Sequence, residues 1–381
     1  MKIVIAPDSY KESLSALAVA TAIEQGFREI YPDAEYVKLP MADGGEGTVD
    51  VMIAATQGRR VDVDVTGPLG DTVHGFYGVS GDGKCAFIEM AAASGLEQVP
   101  VARRDPLKTT SWGTGELIGH ALDAGVEQII IGIGGSATND GGAGMMQALG
   151  AQLLTVDGQQ IAHGGGALEK LDRIDIRHLD RRLATCRIDV ACDVTNPLTG
   201  PEGATAVFGP QKGATEVMIA QLDRALERYA RIIARDLDID VLDLEGGGAA
   251  GGMGAALYAF CGARLRQGIE IVTDALKLDE QVADADLVIT GEGRIDSQTI
   301  HGKVPVGVAR IAKRHNVPVI GIAGSLTADV GVVHQHGIDA VFSVIYTICT
   351  LEEALAQAGD NVRMAARNIA AVVKIGATQR G

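Results

Sequence analysis

Short apolar strands in this chain run straight into loops dense in glycine and charge, and the loops lead into helices. Met41-Ala-Asp-Gly-Gly-Glu-Gly-Thr48, Gly134-Gly-Ser-Ala-Thr-Asn-Asp-Gly-Gly142 and Thr290-Gly-Glu-Gly-Arg-Ile-Asp-Ser-Gln-Thr299 are such loops. Glycine lets a backbone take positive φ and come close to a ligand, and strings of free N–H groups can then surround an anion. A repeated strand–loop–helix unit fits few architectures. The leading one is an open, mostly parallel sheet with ligand loops at the carboxyl ends of its strands.

At 381 residues the chain is long for a single core, and two domains are expected. A net charge of −16 disfavours nucleic acid and anionic membrane as partners. It also repels an anionic substrate, so local Lys and Arg must offset it. The five cysteines, Cys85, Cys186, Cys192, Cys261 and Cys349, form no CxxC pair and are odd in number, which suits scattered thiols in a reducing compartment. Met-Lys followed at once by an apolar strand is no signal peptide, and no apolar run reaches membrane-spanning length, so a cytoplasmic protein is expected.

The chain opens with a strand over 2–6. Ser9-x-x-Glu12 reads as a capping box ahead of a helix carrying Leu17, Ala20, Ile23, Phe27 and Ile30, and a second strand covers 34–39. The rhythm then changes. Val61, Val63 and Val65 alternate with Asp62 and Asp64, and short strands at 73–79 and 85–90 follow a Gly67-Pro-Leu-Gly70 turn, which reads as antiparallel sheet. Helices and strands mix between 105 and 260. Beyond that the α/β rhythm returns, with strands at 287–290, 317–322 and 340–345 and a helix over 304–315. The last helix opens with the capping box Thr350-x-x-Glu353 and carries the stripe Leu351, Leu355, Ala358, Val362, Ala365, Ile369 and Val372. The simplest organisation is a discontinuous Rossmann/flavodoxin-like α/β domain, 1–62 and 260–381. A mixed α/β domain, 63–259, is inserted into it, and the crevice between the two is the expected active site.

Four segments carry chemistry. Asp8, Ser9 and Lys11 are placed at a helix N-terminus, where a carboxylate or phosphate is favoured; Ser9 could equally be a plain cap. Glu292, Arg294, Asp296, Gln298, Thr299 and Lys303 crowd one loop between a strand and a helix. Asp193 and Asn196 follow another strand and could position a hydroxyl or bind Mg²⁺ through oxygen, although Asn-Pro and Gly-Pro also mark a turn there. Lys212, in Gly209-Pro-Gln-Lys-Gly213, is a phosphate-contact candidate. Gly132-Ile-Gly-Gly-Ser-Ala137 and Gly246-Gly-Gly-Ala-Ala-Gly251 match dinucleotide fingerprints weakly and read better as phosphate cradles or helix-entry turns. Gly78-Val-Ser-Gly-Asp-Gly-Lys84 lacks the Ser or Thr of a P-loop and reads as a hairpin turn. HExxH, GxSxG and Cys/His metal sets are missing from the sequence.

Asp8-Ser-Tyr-Lys-Glu-Ser-Leu14, the 41–48 loop, Gly135-Ser-Ala-Thr-Asn-Asp-Gly-Gly-Ala-Gly144, the 192–200 segment, Gly209-Pro-Gln-Lys-Gly213 and the 290–308 segment together resemble the bacterial type I glycerate kinases, in order and spacing over essentially the whole chain. The resemblance implies ATP-dependent phosphorylation of D-glycerate to 2-phosphoglycerate, Mg²⁺, a two-domain α/β fold, and a place in glycerate, glucarate, galactarate or glyoxylate catabolism. Glycerate needs a cation for its carboxylate and a group to take the proton from O2, and phosphoryl transfer rests on positioning and charge neutralisation. The expected assignments put Arg294 on the carboxylate, with Asp8, Ser9, Asn196 and Thr299 around the acid. Lys11 or Lys303 stands near the transferring phosphoryl. Asp296 is the base and Asp193 the alternative base. Mg²⁺ falls to Asp193 and Asp43. Gly134, Gly135, Ser136, Lys212, Gly248 and Gly251 are assigned to ATP. Two other classes compete: an NAD-dependent dehydrogenase of a small hydroxy acid, with Asp157 as its acidic residue, and a non-enzymatic sensor of small acids.

Overall fold

The computed structural model describes residues 1–45 and 47–378; Glu46, part of the 41–48 loop singled out above, lies outside them. Thirteen strands run along the described residues: β1 Lys2–Pro7, β2 Glu35–Lys38, β3 Arg59–Thr66, β4 Thr72–Val79, β5 Cys85–Glu89, β6 Gln128–Gly132, β7 Gln152–Leu154, β8 Arg173–Asp175, β9 Arg187–Ala191, β10 Arg264–Arg266, β11 Leu287–Ile295, β12 Val319–Leu326 and β13 Ala340–Ser343. They divide between two compact units, Met1–Asp43 with Ile269–Gly381, and Gly44–Gly268.

The first unit is built on a five-stranded sheet in the order β13-β12-β11-β1-β2, parallel throughout. Its central strands are covered on both faces, which is why Ile3, Val4 and Ile5 form a continuous apolar run with no exposure. The helices Ala16–Arg28 and Ala358–Thr378 pack together through Val19, Ile23 and Phe27 on one and Val362, Ala366 and Ile369 on the other. Gly26 permits their close approach, since a Cβ there would lie 2.3 Å from the Arg363 carbonyl oxygen.

Three local expectations change in this unit. Helix Ala16–Arg28 is capped by Ser15, whose Oγ accepts from the Ala18 N–H at 3.2 Å, not by Ser9. Residues 10–14 instead close a tight turn in which Tyr10 and Leu14 exchange backbone hydrogen bonds, with Glu12 at φ 61°. Asp8, Ser9 and Lys11 therefore stand before this turn or within it, not at a helix N-terminus. The 290–295 stretch is strand rather than loop: β11 continues alongside β12, pairing Glu292 with Ala323 and Arg294 with Ser325. At the end of the chain the Thr350/Glu353 capping box forms, but its helix stops at Ala356 and a second begins at Ala358. That break takes Leu351 off the core stripe. Val362 and Ile369 are buried as expected, whereas Leu351 and Val372 are exposed.

The second unit has a six-stranded mixed sheet, β10-β9-β6-β5-β4-β3, antiparallel from β3 to β5 and parallel from β5 to β10, plus a β7–β8 hairpin. Helix Thr48–Thr56 packs on β4 and β5, and β3 pairs along its whole length with β4. Residues 44–62 thus go with this unit, and the boundaries fall at 43/44 and 268/269. Ile129, Ile131, Ile188 and Val190 of the central strands, with Leu226, Tyr229 and Ile233 of the 22-residue helix Glu216–Leu237, belong to its core.

Candidate functional site

In the first unit the parallel register brings the carboxyl ends of β1 and β11 side by side, and the Asp8 N–H donates to the Gly291 carbonyl at 2.8 Å. Burial, reinforced by the negative charges of Asp43 and Glu292, pushes the Asp8 carboxyl up to about 7, even though the Ser9 N–H donates to its Oδ1 at 2.6 Å. Glu292 is itself buried. Its carboxylate accepts from the Thr299 hydroxyl at 2.6 Å and from the Lys303 ammonium at 3.4 Å, and burial still holds its proton affinity above the ordinary carboxylate value. Thr299 also accepts from the Asp296 N–H at 3.1 Å, so one buried hydroxyl links the two acidic segments. The buried Tyr10 hydroxyl donates to the Ile322 carbonyl at 2.8 Å, fastening the 8–14 turn to β12.

Asp296 has two structural partners. Its side chain accepts from the Gln298 N–H at 2.8 Å, capping the short 3-10 turn Ser297–Ile300, and it pairs with Arg294 at 3.1 Å. Both partners tie its oxygens to its own turn and strand, and Asp8 is the group with the proton affinity of a base. The structure thus gathers Asp8, Ser9, Asp43, Glu292, Thr299 and Lys303, with the Arg294–Asp296 pair beside them. Lys11 is exposed on the turn. Glu292 and Tyr10 carried no assigned role in the sequence; the two glycines flanking Glu292 were the available signal for it.

In the second unit the loop after β6 is held from beneath. Lys212 is 2 % exposed, and its Nζ donates to Ser136 Oγ and to the Thr138 carbonyl, each at 2.6 Å. Burial pushes this ammonium down to about 7, opposed by the Asp140 charge. Asp140, fully buried, accepts from the Ser111 N–H and hydroxyl at 2.9 and 2.8 Å and from the N–H groups of Gly142 and Gly144 at 3.1 and 3.3 Å. Thr138 Oγ1 and Asn139 Oδ1 are buried without a hydrogen-bond partner. Above this anchor the loop tip, Gly134 and Gly135, is exposed, with Gly135 at φ 73°. Lys212, expected as a phosphate contact, is a buried strut under Ser136.

The run at 246–252 is a packing junction rather than an open cradle. Gly248 donates its N–H to the Asn196 carbonyl at 3.0 Å, and Gly251, at φ 69°, lies where a Cβ would meet the Thr138 carbonyl oxygen at 2.1 Å. Gly251→Ala is expected to destabilise the protein by about 2–3 kcal/mol, read by urea denaturation. Asn196 likewise spends its side-chain N–H on the Glu202 carbonyl at 2.8 Å, which holds the loop after β9. Asp193, exposed at the end of β9, accepts from the Gly268 N–H at 3.0 Å. Among the described residues no three His, Cys, Asp or Glu side chains converge at metal-holding spacing. Neither glycine fingerprint keeps its dinucleotide context. The helix after 132–137 begins only at Ala143, the 246–251 run follows no strand, and Asp157 sits in the turn after β7.

A sequence profile described as the glycerate kinase family matches residues 3–374. The chain is 67 % identical to glycerate 2-kinase of Escherichia coli (strain K12) over all of both chains. It is 58 % identical to glycerate kinase of Bacillus subtilis (strain 168) over 99 % of each. A crystal structure of a provisionally designated glycerate kinase 2 from Salmonella typhimurium LT2 superposes with a TM-score of 0.93 at 76 % identity, covering 99 % of each chain.

Proposed function

We propose that this chain, which belongs to the glycerate kinase family, transfers the γ-phosphoryl group of ATP to O2 of D-glycerate, giving 2-phosphoglycerate and ADP. The observation that carries the reading is the full-length identity to an enzyme named glycerate 2-kinase. The geometry supports a division of labour. Asp8, with a proton affinity near neutrality, takes the hydroxyl proton, because a base poised at the working pH is both deprotonated and basic enough to act. Burial keeps it there, with the charges of Asp43 and Glu292 adding to it, and Thr299 keeps Glu292 in place. Lys303, with Lys11, offsets the anionic groups that must meet. Arg294, oriented by Asp296, takes the glycerate carboxylate through its planar fork.

The N–H groups at 134–136 bind nucleotide phosphate, with Lys212 fixing Ser136 from below. Mg²⁺ prefers oxygen ligands and needs only one or two carboxylates besides phosphate oxygens, a demand that Asp193 meets without a protein cage. When bound it neutralises phosphate charge. Asp43 acts as the charged neighbour that adds to burial in raising Asp8, not as a second ligand. The enzyme so described consumes glycerate arising from sugar-acid or glyoxylate breakdown.

Coupled ADP release on adding D-glycerate, with the ³¹P spectrum of the product, tests the reading. Release without glycerate dependence, or a 3-phosphoryl product, overturns it. Arg294→Lys is expected to raise the glycerate KM about tenfold or more with a smaller change in kcat; an unchanged KM takes Arg294 off the substrate.

A further inference from the structure

One face of helix Glu216–Leu237 carries Arg224, Arg228, Arg231 and Arg235 at helical spacing, over a cavity of about 300 Å³ that they line with Asp172, Glu227 and Ile232. Like charges three and four residues apart repel along a helix. In a chain of net charge −16 such a cationic stripe is locally reversed in sign. Two of the four are balanced: Arg231 pairs with Glu227 at 2.5 Å, and Arg235 with Asp236 at 2.7 Å. The other two are not. Arg228 donates its Nε to the Leu171 carbonyl at 2.7 Å, which fixes the guanidinium while leaving its charge unmatched. Arg224 has no hydrogen bond or ion pair among the described residues. Arg235 also reaches the Asp172 carbonyl at 2.6 Å, so backbone oxygens preorganise the far side of the cavity. Four guanidinium groups against the carboxylates of Asp172, Glu227 and Asp236 leave an excess of positive charge, concentrated on Arg224 and Arg228.

We propose that this cavity binds a phosphomonoester dianion, gripped by Arg224 and Arg228 through paired N–H···O bonds, as a site separate from the one that holds glycerate. Planar guanidinium forks match phosphate oxygens two at a time, and Arg224 and Arg228, the two without a carboxylate partner, supply two such forks to the phosphate group. A three-carbon phosphoester suits the volume. The site does not depend on the kinase reading, which the ADP assay on the unaltered enzyme decides by itself.

Equilibrium dialysis of the full chain against radiolabelled inorganic phosphate, and separately against 2-phosphoglycerate, tests it. For phosphate, the Kd of R224A/R228A is expected to rise at least tenfold, with kcat and the glycerate KM unchanged. For 2-phosphoglycerate, the same variant is expected to lose one binding equivalent per chain. R224K/R228K keeps the charge and loses the forks, and is expected to bind phosphate several-fold more weakly than the unaltered protein; it carries the test alone if the alanine variant does not fold. Tighter binding of 2-phosphoglycerate than of phosphate would make the whole phosphoester, rather than free phosphate, the ligand. Identical isotherms for the unaltered and variant proteins overturn the proposal, as does displacement of the labelled phosphate by D-glycerate.

Discussion

Asp8→Asn is expected to lower kcat by about 10²–10⁴-fold, the range a positioned general base supplies, with little change in the ATP KM. In the unaltered enzyme kcat should fall about tenfold per pH unit below about 7, where Asp8 holds its proton. The same shift acts on stability. The folded carboxyl keeps a proton that the unfolded chain has released between about pH 4 and 7, so stability falls as pH rises through that window, on the order of a few kcal/mol in all. Asp8→Asn should flatten that slope. Asp296→Asn, which keeps an oxygen to cap the turn but loses the ion pair with Arg294, should reduce turnover less. If Asp8→Asn keeps turnover and Asp296→Asn abolishes it, the base is Asp296.

Lys212→Met should raise the ATP KM at least tenfold, because Ser136 Oγ and the Thr138 carbonyl lose the ammonium that fixes them. Its effect on stability has a distinctive pH dependence. Burial lowers the ammonium from 10.5 to about 7, so between those values the unfolded chain binds a proton that the folded chain has released. Stability of the unaltered protein should therefore rise with pH across that interval, and the methionine variant should lose the rise. Near pH 7 the two effects oppose each other. Two unpaired acceptors cost about 1–3 kcal/mol each, while removing a buried ammonium lifts a desolvation penalty of several kcal/mol. Urea midpoints measured at pH 7 and pH 9.5 separate them. A variant whose ATP KM is unchanged would show that the 134–136 loop does not hold nucleotide.

Much of this was legible in the sequence because it is local. The strand–glycine–helix rhythm located β1, β11 and β12 and the helix Val304–Arg314, and the alternation at 61–65 marked β3. Readings failed where a local motif had a distant competitor. Ser9-x-x-Glu12 satisfies the capping pattern, but Tyr10 reaches across to the Ile322 carbonyl and closes a turn, leaving the cap to Ser15. Glu292 looked like one polar residue among many; its burial, and the Thr299 hydroxyl that accompanies it, come from the extension of β11 along β12. Lys212 read as a direct phosphate contact because nothing local reveals that the turn at 210–212 inserts it beneath a loop 76 residues earlier. The 246–252 glycines matched a phosphate cradle by pattern alone, whereas their spacing serves contacts with 138–139 and 196–197.

Strand β1 lies inside the first unit's sheet, and its neighbour on one side is β11, so that Ile3 sits opposite Leu287. During synthesis the opening strand leaves the ribosome long before that neighbour exists. At ~5–20 residues per second the delay is roughly 15–60 s. All of 44–268 emerges in the meantime and can fold while the first forty residues wait with an apolar strand uncovered. The amino-terminal segment is therefore the place where a nascent chain of this kind most needs shielding from aggregation.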